Sequence, residues 1–182
     1  MPDSPSTLLT FGHGQLSPDQ LAGLVVEAGI ELVVDVRRFP GSKANPAASR
    51  GAVPEILHGA GIDYRWDERL GGRRSLRKAE DEVSPDTWWR VKAFRAYAAW
   101  TRSDDFRAGI AELLDDVREC RTAVMCSEAV WWRCHRRMIA DVVLAEHAVP
   151  VWHLMHDGRL LEHVPSAGIR LDADGRSVWD GS

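Results

Sequence analysis

The chain has 182 residues, 45% of them apolar, and 23 Lys and Arg against 27 Asp and Glu give a formal net charge of −4. That length and apolar share suit one globular domain with its own core, and the charge excludes a general attraction to nucleic acid. No apolar run approaches the ~18 residues of a membrane span, and three cysteines, an odd number, argue against a disulfide framework and for free thiols in a reducing cytosol.

The start, MPDSPSTLLTF, has neither a basic n-region nor a cleavable apolar segment, so no signal peptide and a cytoplasmic location are expected. LLTFG (8–12) is a short apolar run ending in glycine and reads as a strand. Ser17-Pro18-Asp19-Gln20 opens a helix, with Ser17 as cap, Pro18 in the first turn and Gln20 at the capping-box position. Leu21, Leu24, Val25 and Ala28 give this helix an apolar face, and Gly29 ends it. ELVVDV (31–36) is a second strand, and the segment 37–51, rich in Pro, Gly, Ser and Ala, is a loop. A short helix is expected over 53–61 and a short strand over 62–66.

The segment 70–86 reads as a long, charged, mobile loop. Helices follow over 88–101 and 105–119, the second with Phe106, Ile110, Leu113 and Leu114 on its apolar face. RTAVMC (121–126) is a strand, 134–146 a helix opened by Cys134, 149–155 a strand and 160–164 an edge strand. The tail after Ser166 reads as polar and weakly structured. Strand–helix alternation predicts an α/β fold: one compact domain over 1–182, with a mostly parallel sheet of about five strands flanked by helices in a three-layer, Rossmann-like arrangement.

In such sheets ligands sit beyond the carboxyl ends of the strands. Three of these junctions carry reactive or ion-binding residues: Gly12-His13-Gly14, Asp35-Val36-Arg37-Arg38 and Cys126-Ser127-Glu128. They are expected to converge on one cleft. The first, with Asp35, imitates a dinucleotide fingerprint, but position 17 is Ser rather than Gly and the helix starts too late to aim at a pyrophosphate. Asp35 and Arg37 lie two apart on a strand and face the same way, either as a structural ion pair or as an acid held beside a base. Ten Arg and Lys against four Asp and Glu between Arg37 and Lys78 form a basic region, suited to an anionic ligand or to a solvated loop.

VMCSEAVWWRCHRRM (124–138) is the densest segment. Placed at a helix N-terminus beside His135, Arg136 and Arg137, the Cys134 thiolate would be favoured. Six residues separate Cys126 from Arg133 where a phosphatase loop has five, and Cys126-x7-Cys134 is wider than a zinc knuckle. Cys134 and His135, adjacent on a helix, would stand about 100° apart and not readily share an ion. A metal held by Cys126, Cys134 and His13 with Glu128 nearby, a reactive thiol, and inert buried cysteines all stay open, while Cys120 reads as a bystander. The adjacent Trp131 and Trp132 cannot both face one core. Aromatics beside arginines suit stacking on a nucleobase or ordinary packing.

The chain resembles the domain-of-unknown-function 488 family from about residue 8 to about 160, through TFGHG (10–14), VVDVRRFPGSKANP (33–46), GIDYRWDERLGGRR (61–74), FRAYAAW (94–100) and VMCSEAVWWRCHRRMIAD (124–141). A strand ending in Cys-x-Glu before Cys-His-Arg is the most specific piece. Gly14 stands where the family often has Ser, and Trp131 where it often has Pro. The resemblance implies a compact three-layer α/β domain and no assigned reaction. The positions it carries over are His13, Asp35, Arg37, Gly71, Gly72, Cys126, Glu128, Cys134, His135 and Arg136.

Together these readings favour an enzyme-like domain with a polar cleft. Cys126 or Cys134 is the expected thiolate centre, Glu128 and Asp35 the acid/base candidates, and His13 or His135 the proton carrier. Arg37, Arg38, Gly71, Gly72, Arg73, Arg74 and Arg136 form the expected site for an anionic small molecule, a nucleotide or a nucleic acid end. The 70–86 loop would close over it, with hydrolysis or group transfer as the preferred chemistry. The alternatives are a non-catalytic module binding nucleic acid or protein, and a metal-binding or redox-sensing protein. The sequence requires no cofactor but admits a transition metal, expects no membrane partner, and leaves oligomeric state open.

Overall fold

The structure, a computed structural model, describes residues 6–41 and 45–182. Residues 42–44, which the 37–51 loop and the 33–46 family segment include, lie outside the described residues. Six strands form the main sheet: β1 (Leu8–Gly12), β2 (Leu32–Asp35), β3 (Asp63–Trp66), β4 (Thr122–Cys126), β5 (Val151–Leu154) and β6 (Leu160–Glu162). Their order is β3-β2-β4-β1-β5-β6. The first five run parallel, and β6 closes the edge antiparallel to β5. Each of the six corresponds to a strand expected from the sequence, with β6 as the edge strand.

The central strands are apolar throughout because both faces are covered. Leu9 and Phe11 of β1 join Val33, Ala123 and Met125 on one face. There they pack against α1 (Pro18–Glu27) and α2 (Ala52–Gly59), through Leu21, Leu24, Val25, Val53 and Leu57. Leu8, Val34 and Val124 turn to the other face, against Phe106, Ile110 and Leu113 of α5 (Asp104–Glu119) and Met138, Ile139 and Val142 of α6 (Arg136–His147). This is the three-layer α/β arrangement. Helix α1 starts as its sequence dictates: Ser17 accepts the Gln20 N–H and the Gln20 side chain accepts the Ser17 N–H. Gly29, at φ 66°, makes the left-handed exit.

Four segments depart from expectation. The tail is structured: β7 (Ile169–Leu171) and β8 (Ser177–Trp179) form a hairpin, and Trp179 is fully buried with its indole N–H donated to Asp141 at 2.9 Å. A single core-seeking tryptophan outweighs the polarity of its neighbours. The 70–86 segment contains a short helix, α3 (Lys78–Glu82), tied by Asp81 to Arg95 of α4 (Lys92–Trp100). That helix also starts later than the expected 88. Trp88 and Trp89 precede it, and Trp89 packs edge-on against both Trp88 and Phe94. Finally, α6 begins at Arg136, so Cys134 precedes the helix instead of opening it, with an extended backbone (φ −121°, ψ 151°). Among the described residues no helix is long and apolar enough to cross a membrane.

Candidate functional site

Strands β2, β4 and β1 are neighbours in the sheet, so their carboxyl ends deliver their residues side by side. Backbone hydrogen bonds extend the ladder past the strands: the N–H groups of His13 and Gly14 donate to Cys126 and Ser127, and Val36 N–H donates to Met125, all at 2.9 Å. Above these ends lies a cleft of about 690 Å³. His13, Gly72, Arg73, Tyr97, Cys126, Glu128, Cys134 and His135 line it, together with Arg133 and His156.

At its floor the Sγ atoms of Cys126 and Cys134 lie 3.1 Å apart, and His135 Nδ1 lies 3.8 Å from the first and 3.5 Å from the second. The expectation that Cys134 and His135 diverge fails because Cys134 is not helical. An extended residue before an α-type one lets neighbouring side chains converge. Three things hold the imidazole: Nε2 donates to the Val36 carbonyl at 3.1 Å, the ring sits edge-on against Tyr97 at 5.0 Å, and Gly72 passes close beside it. A Cβ on Gly72 would lie 2.9 Å from Nδ1, and one on Gly71 would lie 2.7 Å from the Arg38 backbone. Those close approaches explain the paired glycines.

The hydrogen bond to Cys134 and burial both push the Cys126 thiol up. Burial also pushes Cys134 up, but the hydrogen bond with Cys126 and the neighbouring His135 and Arg136 outweigh it, holding Cys134 well below the usual thiol range. The two thiols are coupled through their short sulfur–sulfur contact, so that ionising either one depends on the other. Arg136, almost wholly buried beneath the site, reaches Thr10 Oγ1 and the Glu128 carbonyl, and its backbone N–H faces Cys134 Sγ at 3.5 Å.

Asp35 is not exposed to the cleft. It is fully buried, and Arg37 grips it bidentately while Tyr64 donates at 2.8 Å. His13 donates Nδ1–H to the Gly14 carbonyl, and its Nε2 faces Arg37 Nη1 at 3.4 Å. Burial lowers its pKa, and Arg37 adds to the effect. His13 therefore stands on the cleft wall outside the sulfur–nitrogen trio.

The expected arginines divide by role. Arg73 lines the cleft exposed, held at φ 57°. Arg38 donates to the Arg73 carbonyl. Arg74 stacks 3.7 Å over the Trp100 ring and donates to Gly71 and Glu68 carbonyls. Both shape the glycine loop. Among the cleft residues that escaped the sequence reading are an arginine and a histidine. Arg133 sits in the turn before Cys134, and His156, bonded to the Gly12 carbonyl at 2.7 Å, follows the end of β5. Applying the strand-end criterion to β5 would have found His156.

A buried hydrogen-bonded run also escaped it. Thr10 joins His153 at 2.7 Å, His153 joins His163 at 2.9 Å, and His163 joins Asp141 at 2.9 Å. Trp131 stacks on His153 with ring centres 4.1 Å apart, while Trp132 is 45% exposed, which is how the adjacent pair divides. No curated protein and no solved structure matches the chain significantly. The family model described as domain of unknown function DUF488 matches residues 17–143, which include every cleft strand but β1 and β5, and the chain belongs to that family.

Proposed function

We propose that the protein is an enzyme acting on an anionic substrate of the nucleotide or nucleic-acid-end class, by hydrolysis or group transfer, with Cys126, Cys134 and His135 as its reactive centre. The observation that carries this reading is the convergence of two sulfurs and an imidazole nitrogen within 3.8 Å at the floor of an open cleft that also carries arginine and glutamate. Inert packing cysteines do not need a histidine oriented by its own carbonyl acceptor and a glycine. Arg73 and Arg133 on the walls suit an anion, and Glu128 on the same cleft is available for acid/base work.

The test is turnover of a panel of nucleotides, phosphoesters and short oligonucleotides by the native protein, with His135→Ala and Arg73→Ala beside it. Turnover abolished by His135→Ala and weakened in KM by Arg73→Ala supports the reading. Salt-sensitive binding without any turnover contradicts it and favours a binding module. One observation speaks for that second reading: Phe39, Trp66 and Trp132 are 62%, 47% and 45% exposed, as stacking platforms are.

A further inference from the structure

We infer that Cys126, Cys134 and His135 form a binding site for one thiophilic divalent metal ion, zinc, with its fourth coordination position open to the cleft. The inference rests on the same centre as the proposed function and names its cofactor. Of the described His, Cys, Asp and Glu side chains, these three alone gather their donor atoms within 4.8 Å of one another.

The spacing fits the ion. A tetrahedral zinc, with Zn–S about 2.3 Å and Zn–N about 2.0–2.1 Å, separates sulfur from nitrogen by roughly 3.6 Å and sulfur from sulfur by roughly 3.8 Å. The two sulfur–nitrogen edges here are 3.8 and 3.5 Å. The sulfur–sulfur edge is 3.1 Å, so binding spreads the sulfurs by roughly 0.7 Å. A rotation of about 25° about χ1, shared between the two cysteines, supplies that within a rotamer well.

The orientation of His135 fits as well. Its Nε2–H is engaged by the Val36 carbonyl, which leaves the Nδ1 lone pair facing both sulfurs. Metal-bound histidines are anchored in this way through the nitrogen that does not bind the ion. Two thiolates and a neutral imidazole also match zinc in softness and neutralise its charge. Two Cys and one His leave a tetrahedral ion one position short, the pattern of sites that bind water or substrate. Arg73 and Arg133 on the cleft walls favour an anionic oxygen there.

The test is elemental analysis of the full chain purified without chelator, followed by cobalt replacement and absorption spectroscopy. The expected result is one metal per chain, a sulfur-to-cobalt charge-transfer band and the visible bands of a four-coordinate ion. Both signals should be lost in Cys126→Ser and His135→Gln and retained in Cys120→Ser. Circular dichroism of each variant separates loss of ligand from loss of fold. Should the variants unfold, addition of phosphate to the cobalt-loaded native protein still tests the site, because an open position predicts a shift of the visible bands. Absence of metal after zinc is added in excess overturns the inference, as does a cobalt spectrum that persists without His135. Those outcomes leave the proposed enzyme standing if turnover is found. Stoichiometric metal without turnover sinks the proposed function and leaves the metal site.

Discussion

Asp35 and Arg37 grip each other through two parallel hydrogen bonds, Nε to Oδ1 at 2.9 Å and Nη2 to Oδ2 at 2.6 Å, and both side chains are at most 5% exposed. The same guanidinium reaches the Ala48 carbonyl and His13, so the pair locks the end of β2 to the loop and to the cleft wall. Removing one partner of a buried pair strands the other charge, at about 3–5 kcal/mol. Asp35→Asn should therefore lower unfolding free energy by about that amount in urea titration, whereas Tyr64→Phe, which loses one hydrogen bond to the carboxylate, should lose about 1 kcal/mol. An Asp35→Asn protein as stable as the native one would show that the pair braces nothing.

The glycines separate by environment. A Cβ at Gly12 would stand 1.8 Å from the Glu128 carbonyl oxygen, where the β1 and β4 ends press together. Gly12→Ala should cost about 3 kcal/mol, because backbone must move. Gly23, inside α1 with no atom within 4 Å of its Cβ position, should instead gain about 0.5–1 kcal/mol as alanine. Gly72→Ala should leave the fold intact but push the His135 ring off the sulfurs, seen as weakened cobalt charge transfer in a protein of native circular dichroism. Equal thermal shifts for Gly12→Ala and Gly23→Ala would contradict the packing at the strand ends.

Acid should destabilise the protein well above the carboxylate range. Burial, with His163 and Arg136 nearby, lowers the His153 pKa to about 2. Thr10, His163 and the Trp131 ring hold it in place. The unfolded histidine, near 6.5, binds a proton that the folded one does not, so this contribution is complete above pH 6.5 and is lost as pH falls toward 2. Between pH 7 and 5.5 the loss from His153 alone is about 1.2 kcal/mol, and His13, also lowered by burial, adds to it. Chemical denaturation at those two pH values checks the sign. A stability that rises on acidification across this window would contradict it.

Much of this architecture is legible in local pattern. The capping box at Ser17 and Gln20, the left-handed Gly29, the buried runs of β1, β2 and β4 and the edge strand β6 all follow from spacing and composition. The side-by-side ends of β1, β4 and β2 follow once the sheet is assumed parallel, but only the first two put side chains on the cleft: Asp35 and Arg37 turn inward and pair with each other. Two kinds of feature were not legible. One depends on a backbone turn of two residues, as with Cys134: extended rather than helical, it lets His135 reach both sulfurs. The other depends on distant partners. The Thr10–His153 bond spans 143 residues, and the burial of Trp179 follows from Asp141 far upstream. The β7–β8 turn did carry a local signal, Asp174-Gly175, with Gly175 at φ 74°. The polarity around it masked that signal.

The central claim is that two cysteines and one histidine act as a unit beneath the cleft. Isotope-coded alkylation of the native chain, with and without added zinc, tests it most directly by reading each cysteine separately. The account predicts that zinc protects Cys126 and Cys134 together while half-buried Cys120 continues to react, and that His135→Gln abolishes the protection. Equal labelling of Cys126 and Cys134 with and without zinc, or protection that does not depend on His135, would contradict it.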